Sequence, residues 1–208
     1  MKIICIGQNY AVHNKAGDGA LLNTESPVLF LKPDSALQRC NKPFFVPDEL
    51  GRIDFGAALV VRICRLGKGI PQRFANRYYD AVTVGVDFTA YDLLQQARKG
   101  GQPWDLSKGF DASAVVGEWL PTNVLCPDAV RLGLAFRLER NGQTVQTGFT
   151  GDMQWNVDAL IAYCSQFFTL KTGDLIFTGT PEQTEPVSIG DQLTGWIEDR
   201  KVTEVRCK

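Results

Sequence analysis

The chain of 208 residues predicts a β-rich α+β fold built on a mixed sheet. Short segments that are apolar or alternate between apolar and polar residues outnumber helical segments along the sequence. The few helical segments do not alternate strictly with the strands, which argues against a doubly wound parallel sheet. Because 44% of the residues are hydrophobic, one sizeable core can form, and we expect residues 1–208 to make a single domain.

Nine segments have the composition or the alternation of strands. They are residues 2–6, 28–31, 57–65, 81–86, 130–139, 144–148, 174–177, 192–197 and 201–207. The cleanest alternation lies within 131–139, where Leu132 and Leu138 stand at the two ends of one apolar face. Asn141-Gly142 follows this segment and predicts a tight hairpin.

Three segments have helical character. Residues 71–80 open with proline, which is common at the first position of a helix. Residues 156–168 carry apolar side chains on one side at helical spacing. A shorter helix is expected after Thr89, through Leu93, Leu94 and Ala97.

Composition excludes several classes of partner. The net charge is −1 and no basic run is present, so nothing predicts nucleic-acid binding. No apolar run reaches membrane-spanning length, and the first residues resemble a strand rather than a signal peptide. The six cysteines are scattered singly, without metal or redox spacing. We therefore expect a cytoplasmic protein with reduced thiols, and no membrane or nucleic-acid partner.

Five motifs stand in a specific order along nearly the whole chain. They are Gly-Gln-Asn-Tyr-Ala-Val-His at 7–13, Phe-Leu-Lys-Pro at 30–33, Val-Asp-Phe-Thr-Ala-Tyr-Asp at 86–92, Pro-Trp-Asp-Leu-Ser-Lys-Gly-Phe at 103–110, and Gly-Asp-Leu-Ile-Phe-Thr-Gly-Thr-Pro at 173–181. Together they resemble the fumarylacetoacetate hydrolase family, in its small single-domain branch of acylpyruvases and diene-dioate isomerases. The resemblance implies a roll of curled mixed sheets around a central site, with a few helices outside.

The resemblance also implies a divalent metal, Mg²⁺ or Mn²⁺, held by a Glu-x-Glu strand and by an aspartate on another strand. Here the matching positions are Asp54, Gly56 and Asp87, so one ligand is shorter by a methylene and one has no side chain. Asp54 and Asp87 are therefore the expected metal ligands. Because Gly56 replaces a carboxylate, we expect the metal to bind weakly or not at all.

Catalytic groups are implied by the same resemblance. His13, the only histidine, matches the family's Asn-Tyr-x-x-His motif, but Ala16 stands where the acid that orients the histidine would be. Lys108 matches the lysine that faces the substrate and can hold a carboxylate or an enolate oxygen. Tyr91 replaces a family arginine. The expected substrate-binding residues are Tyr10, Gln146, Thr178, Gly179 and Thr180.

Three functions remain open at this stage. The first is an enzyme that hydrolyses, decarboxylates or isomerises a small 2-oxo or β-diketo carboxylic acid, with a degraded metal site. Loss of the acid at Ala16 favours proton transfer over water activation. The second is a non-catalytic relative that binds a small carboxylate or serves as an interaction protein. The third, a metal-free cysteine enzyme, has only His13 as a base. The resemblance further implies a homodimer.

Overall fold

A computed structural model describes residues 1–10, 25–39, 42–126, 128–181 and 184–208. These residues form one larger sheet and one four-stranded antiparallel sheet, with short helices between the strands. His13 and Ala16, the predicted acid–base positions, lie outside the described residues. Within the described parts, no helix is both long and apolar enough to cross a membrane.

The helices and strands have the following bounds. The strands are β1 Ile3–Gly7, β2 Val28–Lys32, β3 Leu37–Arg39, β4 Ile53–Ile63, β5 Tyr79–Ala90, β6 Ala114–Val116, β7 Leu120–Pro121, β8 Ala135–Arg140, β9 Gln143–Phe149, β10 Leu175–Phe177, β11 Glu185–Pro186, β12 Gln192–Ile197 and β13 Arg200–Arg206. The α-helices are α1 Tyr91–Gly100, α2 Asp105–Lys108, α3 Ala129–Leu132 and α4 Val157–Phe167. The 3-10 helices are Asp34–Ala36, Asp48–Leu50, Gln72–Arg77, Thr122–Val124 and Thr150–Asp152.

The larger sheet is mixed. Its strands follow the order β2-β1-β10-β4-β5-β6-β3, with β11 paired to β4 and β7 paired to β5. The β1–β10 and β3–β6 pairs are parallel, and the other pairs are antiparallel. The second sheet has the order β13-β12-β8-β9. The predicted β-rich mixed architecture is therefore confirmed.

The long strands β4 and β5 are apolar on both faces because each face is covered. The odd-numbered positions of β4, such as Leu59 and Val61, belong to a large core shared with β8, β12 and α4. The even positions Ala58 and Val60 belong to a smaller cluster with β1 and β10. Side chains alternate along a strand, so the remaining even positions near the start of β4 lie on that second face.

Two predicted elements are wrong in detail. The predicted strand 130–139 begins only at Ala135, because its first residues form the helix α3. Leu132, expected on the apolar face, is 59% exposed. The predicted helix 71–80 is a 3-10 helix, Gln72–Arg77, and Tyr79 already begins β5.

Candidate functional site

The candidate site lies on the second face of β4 and β5, near the start of β4. The antiparallel register places Asp54 opposite Thr89 and Gly56 opposite Asp87. Directly opposed residues of an antiparallel pair point to the same side of the sheet. The sheet thus places positions 54 and 56, which share a face, next to Asp87, the position that the family resemblance implies for the third ligand.

Asp87 is held between two lysines. Lys32 Nζ lies 2.8 Å from Asp87 Oδ1, and Lys108 Nζ lies 2.8 Å from Oδ2. Burial of Asp87 opposes its ionisation, but the charges of Lys108 and Lys32 outweigh burial and hold its pKa below the ordinary value. The carboxylate is therefore ionised, and two cations compensate it.

Lys32 is fully buried at the end of β2. Its ammonium donates to Phe88 O at 3.1 Å, to Ser113 O at 2.9 Å and to Ser113 Oγ at 3.0 Å. These three oxygens take its protons, which explains why Asp87 Oδ1 makes an ion pair with Lys32 but no well-angled hydrogen bond. Burial lowers the pKa of Lys32, and Asp87 opposes that shift. Four surrounding oxygens favour its charged form.

Lys108 reaches the site from the helix α2. Besides Asp87, its ammonium donates to Thr89 Oγ1 at 2.7 Å and lies 4.9 Å from the centre of the Phe30 ring. Only about a tenth of its side chain is exposed. The sequence prediction that Lys108 faces this site is consistent with that position. The Lys108 ammonium lies among a carboxylate, a hydroxyl and an aromatic face, and as a cation it can attract an anionic ligand as a further neighbour.

Asp54 has a basic partner of its own. Arg52 Nε donates to Asp54 Oδ1 at 2.6 Å and Nη2 donates to Oδ2 at 2.9 Å, which is a bidentate pair. Thr184 Oγ1 adds a hydrogen bond to Oδ2 at 3.1 Å. The guanidinium also stacks on the Tyr91 ring, 4.1 Å from its centre. Asp54 is buried, so its charge is neutralised within the protein.

At Gly56 the neighbouring side chains leave little room. An ideal Cβ added there would lie 2.7 Å from Thr180 Oγ1, 2.9 Å from Thr180 Cγ2 and 3.2 Å from Thr184 Cγ2. A longer side chain would therefore require Thr180 to move. The next position on the same face is Ala58, whose side chain has no oxygen either. β4 therefore presents only the Asp54 carboxylate to the site, whether the Glu-x-Glu pattern falls on positions 54 and 56 or on positions 56 and 58.

The described residues do not fit a resident divalent cation. Mg²⁺ and Mn²⁺ prefer several hard oxygen ligands at short range. Here Asp54 is bound by a guanidinium and Asp87 by two ammonium groups, so both predicted ligands are already paired with cations. The described parts of the chain contain no group of three or more His, Cys, Asp or Glu residues that could hold a metal.

The Thr-Gly-Thr-Pro turn follows β10 and is fixed by Asn9. The amide of Asn9 donates to Thr178 O at 2.8 Å and to Trp155 O at 3.1 Å, and its oxygen accepts from Trp155 N at 2.8 Å. Thr178 Oγ1 donates to Leu59 O at 2.9 Å, so its proton holds the turn to β4. Gly179 has φ of +108°, and a Cβ there would lie 3.0 Å from Asn9 Cβ. Thr180 is the turn residue that reaches the Gly56 position.

Tyr10 and Gln146 lie on the borders of this region. Tyr10 is buried, pairs with Met153 and faces Thr178, and burial raises the pKa of its phenol. Gln146 is buried on β9, and its Oε1 accepts from Ala57 N at 2.6 Å. That contact satisfies a backbone amide of β4 beside Gly56. The substrate-binding roles of these two residues stay predictions.

Sequence reasoning missed three members of the cluster. Lys32 belongs to a quoted motif, but a lysine after an apolar strand gives no sign that it is buried. Ser113 and Arg52 have no motif of their own. The sequence signal for Arg52 is its spacing from Asp54, because residues i and i+2 on an extended segment share a face.

The thiols contribute nothing nucleophilic to the described site. Cys5 lies near Asp87 and the lysines, but burial raises its pKa to about 12. A buried neutral thiol is inert, because the thiolate is the reactive form. This observation argues against the cysteine-enzyme hypothesis.

The mixed sheet, the turn after β10 and the lysine–aspartate cluster together describe a class of protein, and comparison with known protein families identifies that class. The family model for the fumarylacetoacetate hydrolase C-terminal domain matches residues 2–208, so the chain belongs to the fumarylacetoacetate hydrolase family. The family resemblance and the fold class predicted from the sequence are both confirmed.

Several proteins similar to this chain are named as enzymes. Oxaloacetate tautomerase YcgM of Escherichia coli is 35% identical over 202 residues, which cover 97% of this chain and 90% of that protein. A mitochondrial oxaloacetate tautomerase of Arabidopsis thaliana is 36% identical, with coverages of 94% and 86%. A crystal structure of fumarylpyruvate hydrolase from Pseudomonas aeruginosa, in complex with Mn²⁺ and pyruvate, has a TM-score of 0.90 at 31% identity and covers 100% and 89%. Such relatives are consistent with a role on small oxo acids.

Proposed function

We propose that this protein takes a small 2-oxo carboxylic acid and interconverts its keto and enol forms. The observation that carries the proposal is the buried Lys108 ammonium, held by Asp87 and Thr89 on the face of the sheet that Thr180 also reaches. The named activities of the E. coli and Arabidopsis relatives support a tautomerase, and the pyruvate bound to the P. aeruginosa enzyme supports a 2-oxo acid. The single-domain organisation, the homodimer and the cytoplasmic location stay predictions.

The proposed chemistry needs little machinery. Tautomerisation breaks one C–H bond beside the carbonyl and forms one O–H bond, and no water is consumed. Negative charge develops on the carbonyl oxygen during this proton transfer, and a fixed cation stabilises it in a low-dielectric site. Lys108 and Thr180 are the groups proposed to hold the carboxylate and the developing enolate. His13 remains the predicted proton carrier.

Hydrolysis and metal chemistry have weaker support. A hydrolase must activate water, and Ala16 stands in place of the acid that would orient His13. We propose that Mg²⁺ or Mn²⁺ binds weakly or not at all, because Gly56 supplies no ligand and the two aspartates already have cationic partners. No step of the proposed reaction depends on a metal.

The test is the decay of enol oxaloacetate, followed by ultraviolet absorbance in EDTA and again with Mn²⁺. We expect catalysed decay in both conditions and a loss of at least about a hundredfold in Lys108→Met, because a positioned charge at an oxyanion has an effect of that order. Lys99→Met, at an exposed position near the end of α1, is the control and should keep full activity. Hydrolysis of fumarylpyruvate by the wild type, or an unchanged rate in Lys108→Met, would contradict the proposal.

A second candidate is a non-catalytic relative that binds a small carboxylate. The crowding of Thr180 at Gly56 and the Arg52–Asp54 pair favour it, because both occupy positions where the family resemblance implies metal ligands. This candidate predicts that oxaloacetate binds without any change in its rate of tautomerisation.

A further inference from the structure

Arg52 is a cationic side chain of the candidate site to which no role has been assigned. It stands immediately before β4 and is held from two sides, by the bidentate contact with Asp54 and by stacking on Tyr91. Its backbone oxygen also accepts from Tyr91 N at 2.8 Å. A long flexible side chain fixed in this way loses little further freedom when it binds a ligand.

The guanidinium keeps donors for a second anion. Arginine has five N–H groups, and Asp54 uses two of the nitrogen atoms, Nε and Nη2. In the described part of the chain, no other side-chain acceptor receives a hydrogen bond from Nη1. The side chain is 44% exposed although its aspartate is fully buried. Asp54 therefore fixes the guanidinium through Nε and Nη2, while the arginine side chain stays partly exposed.

The second cation of the site is a neighbour in the sheet. Asp54 lies directly opposite Thr89, and Thr89 Oγ1 accepts the hydrogen bond from Lys108. The two cations are thus attached to the two members of one cross-strand pair, because Arg52 binds Asp54 and Lys108 binds Thr89. This arrangement places two cationic side chains on neighbouring strands, as a ligand with two carboxylates requires.

The surroundings of Lys108 favour an anion as well. Lys32 and Lys108 share the single carboxylate of Asp87, so this cluster has one more positive charge than negative. An anion beside Lys108 would balance it. A divalent cation at the same place would add charge to a cluster that is already positive.

We infer that Arg52 and Lys108 form a metal-independent binding site for a small dicarboxylate, in which Asp54 is a positioning residue that holds Arg52 rather than a metal ligand. Lys108 binds one carboxylate of the ligand and Arg52 binds the other. The inference rests on the proposed use of this site for small oxo acids and narrows that class to acids with two carboxylates, of which oxaloacetate is one.

The test measures the binding of malonate and pyruvate by calorimetry in EDTA, and repeats both titrations with MnCl₂ instead. We expect malonate to bind more tightly than pyruvate in EDTA, and Mn²⁺ to leave both affinities unchanged. Arg52→Gln should weaken malonate binding about tenfold and leave pyruvate binding unchanged, because only the dicarboxylate reaches Arg52. Asp54→Asn should also weaken malonate selectively, which a merely structural role would not do.

The same strand provides a matched control. Arg62 makes a bidentate pair with Asp80 at 2.9 and 3.0 Å and stacks on Trp119 at 5.3 Å, as Arg52 does with Asp54 and Tyr91. Arg62→Gln should leave malonate binding unchanged.

Three results would overturn the inference. They are a requirement of malonate binding for Mn²⁺, equal losses in Arg52→Gln and Arg62→Gln, and the absence of malonate binding in EDTA. The enol oxaloacetate assay separates this inference from the proposed function. If malonate binds as expected while oxaloacetate is not turned over, the dicarboxylate site stands and the tautomerase proposal fails.

Discussion

Replacement of Lys32 by methionine removes the ammonium at the centre of the buried cluster and keeps most of the apolar stem. In the wild type this ammonium pairs with Asp87 and donates to Phe88 O and to both oxygens of Ser113. In Lys32→Met, Asp87 keeps only Lys108, and Phe88 O loses the side-chain donor. Ser113 O keeps the backbone hydrogen bond from Phe88 N at 2.8 Å.

The expected loss of stability follows from these contacts. Removal of one partner from a buried ion pair costs about 3–5 kcal/mol. A carbonyl left without this donor adds about 1 kcal/mol. Relief from burying the Lys32 charge, whose cost is evident in its lowered pKa, offsets part of the loss. We expect a net loss of about 3 kcal/mol, which is a large part of the roughly 5–15 kcal/mol typical of a domain.

Urea denaturation followed by circular dichroism measures this loss. With a slope of about 2 kcal/mol/M, the midpoint of Lys32→Met should fall by about 1.5 M. Lys2→Met is the matched control, because Lys2 is partly exposed and its buried partner Asp174 keeps two backbone donors when the ammonium is removed. The control should lose less than Lys32→Met, because the Asp174 carboxylate still accepts from two backbone N–H groups. Equal midpoints for wild type and Lys32→Met would refute the view that Lys32 organises the cluster.

Two further predictions concern stability. Gly117→Ala should cost about 3 kcal/mol in the same assay, because a Cβ there would lie 2.0 Å from Val202 O, whereas Gly100→Ala at the end of α1 should be neutral or stabilising; equal effects would contradict this reasoning. Burial raises the pKa of three thiols to about 12. A thiol whose pKa is higher in the folded state stabilises the fold at pH values below its unfolded-state pKa, and this contribution is lost as the pH rises from that pKa toward 12. The three are Cys5, Cys164 and Cys207. The free energy of unfolding should therefore fall between pH 9 and 10.5, by about 1.4 kcal/mol per buried thiol at pH 10. The fall should be shallower in Cys5→Ala than in the wild type, but unchanged in Cys126→Ala, where the thiol is exposed. Identical slopes in the wild type and both variants would argue against this reasoning.

Sequence patterns predict the architecture well where local and tertiary preferences agree. The long strands β4 and β5 and the helix α4 follow from apolar runs and helical spacing. Leu132 is wrongly predicted to lie on the apolar face of a strand, because the apolar–polar alternation of β8 continues back to it in the sequence. In the structure the chain forms α3 at Leu132, before the strand begins. The short strands β3, β6 and β7 exist only through their partners in the sheet, so no local pattern indicates them.

The sequence does not specify how the charged side chains of the site pair with one another. The register of β4 and β5 brings together Asp54, Gly56 and Asp87, three positions that only the family resemblance associates. No periodicity indicates that Lys32 turns inward to Asp87, or that Arg52 folds back onto Asp54. These contacts depend on tertiary neighbours that lie far apart in the sequence, or on side-chain rotamers that the sequence does not specify.

The two faces of β4 have an evolutionary consequence. The side chains that hold the large core occupy one set of alternating positions, and the groups near Asp87 occupy the other. A substitution at position 54 or 56 can therefore alter what the protein recognises without removing a contact from the large core. Related proteins with this scaffold can therefore differ in their chemistry, because substitutions on this face change ligand binding and leave the packing of the large core intact.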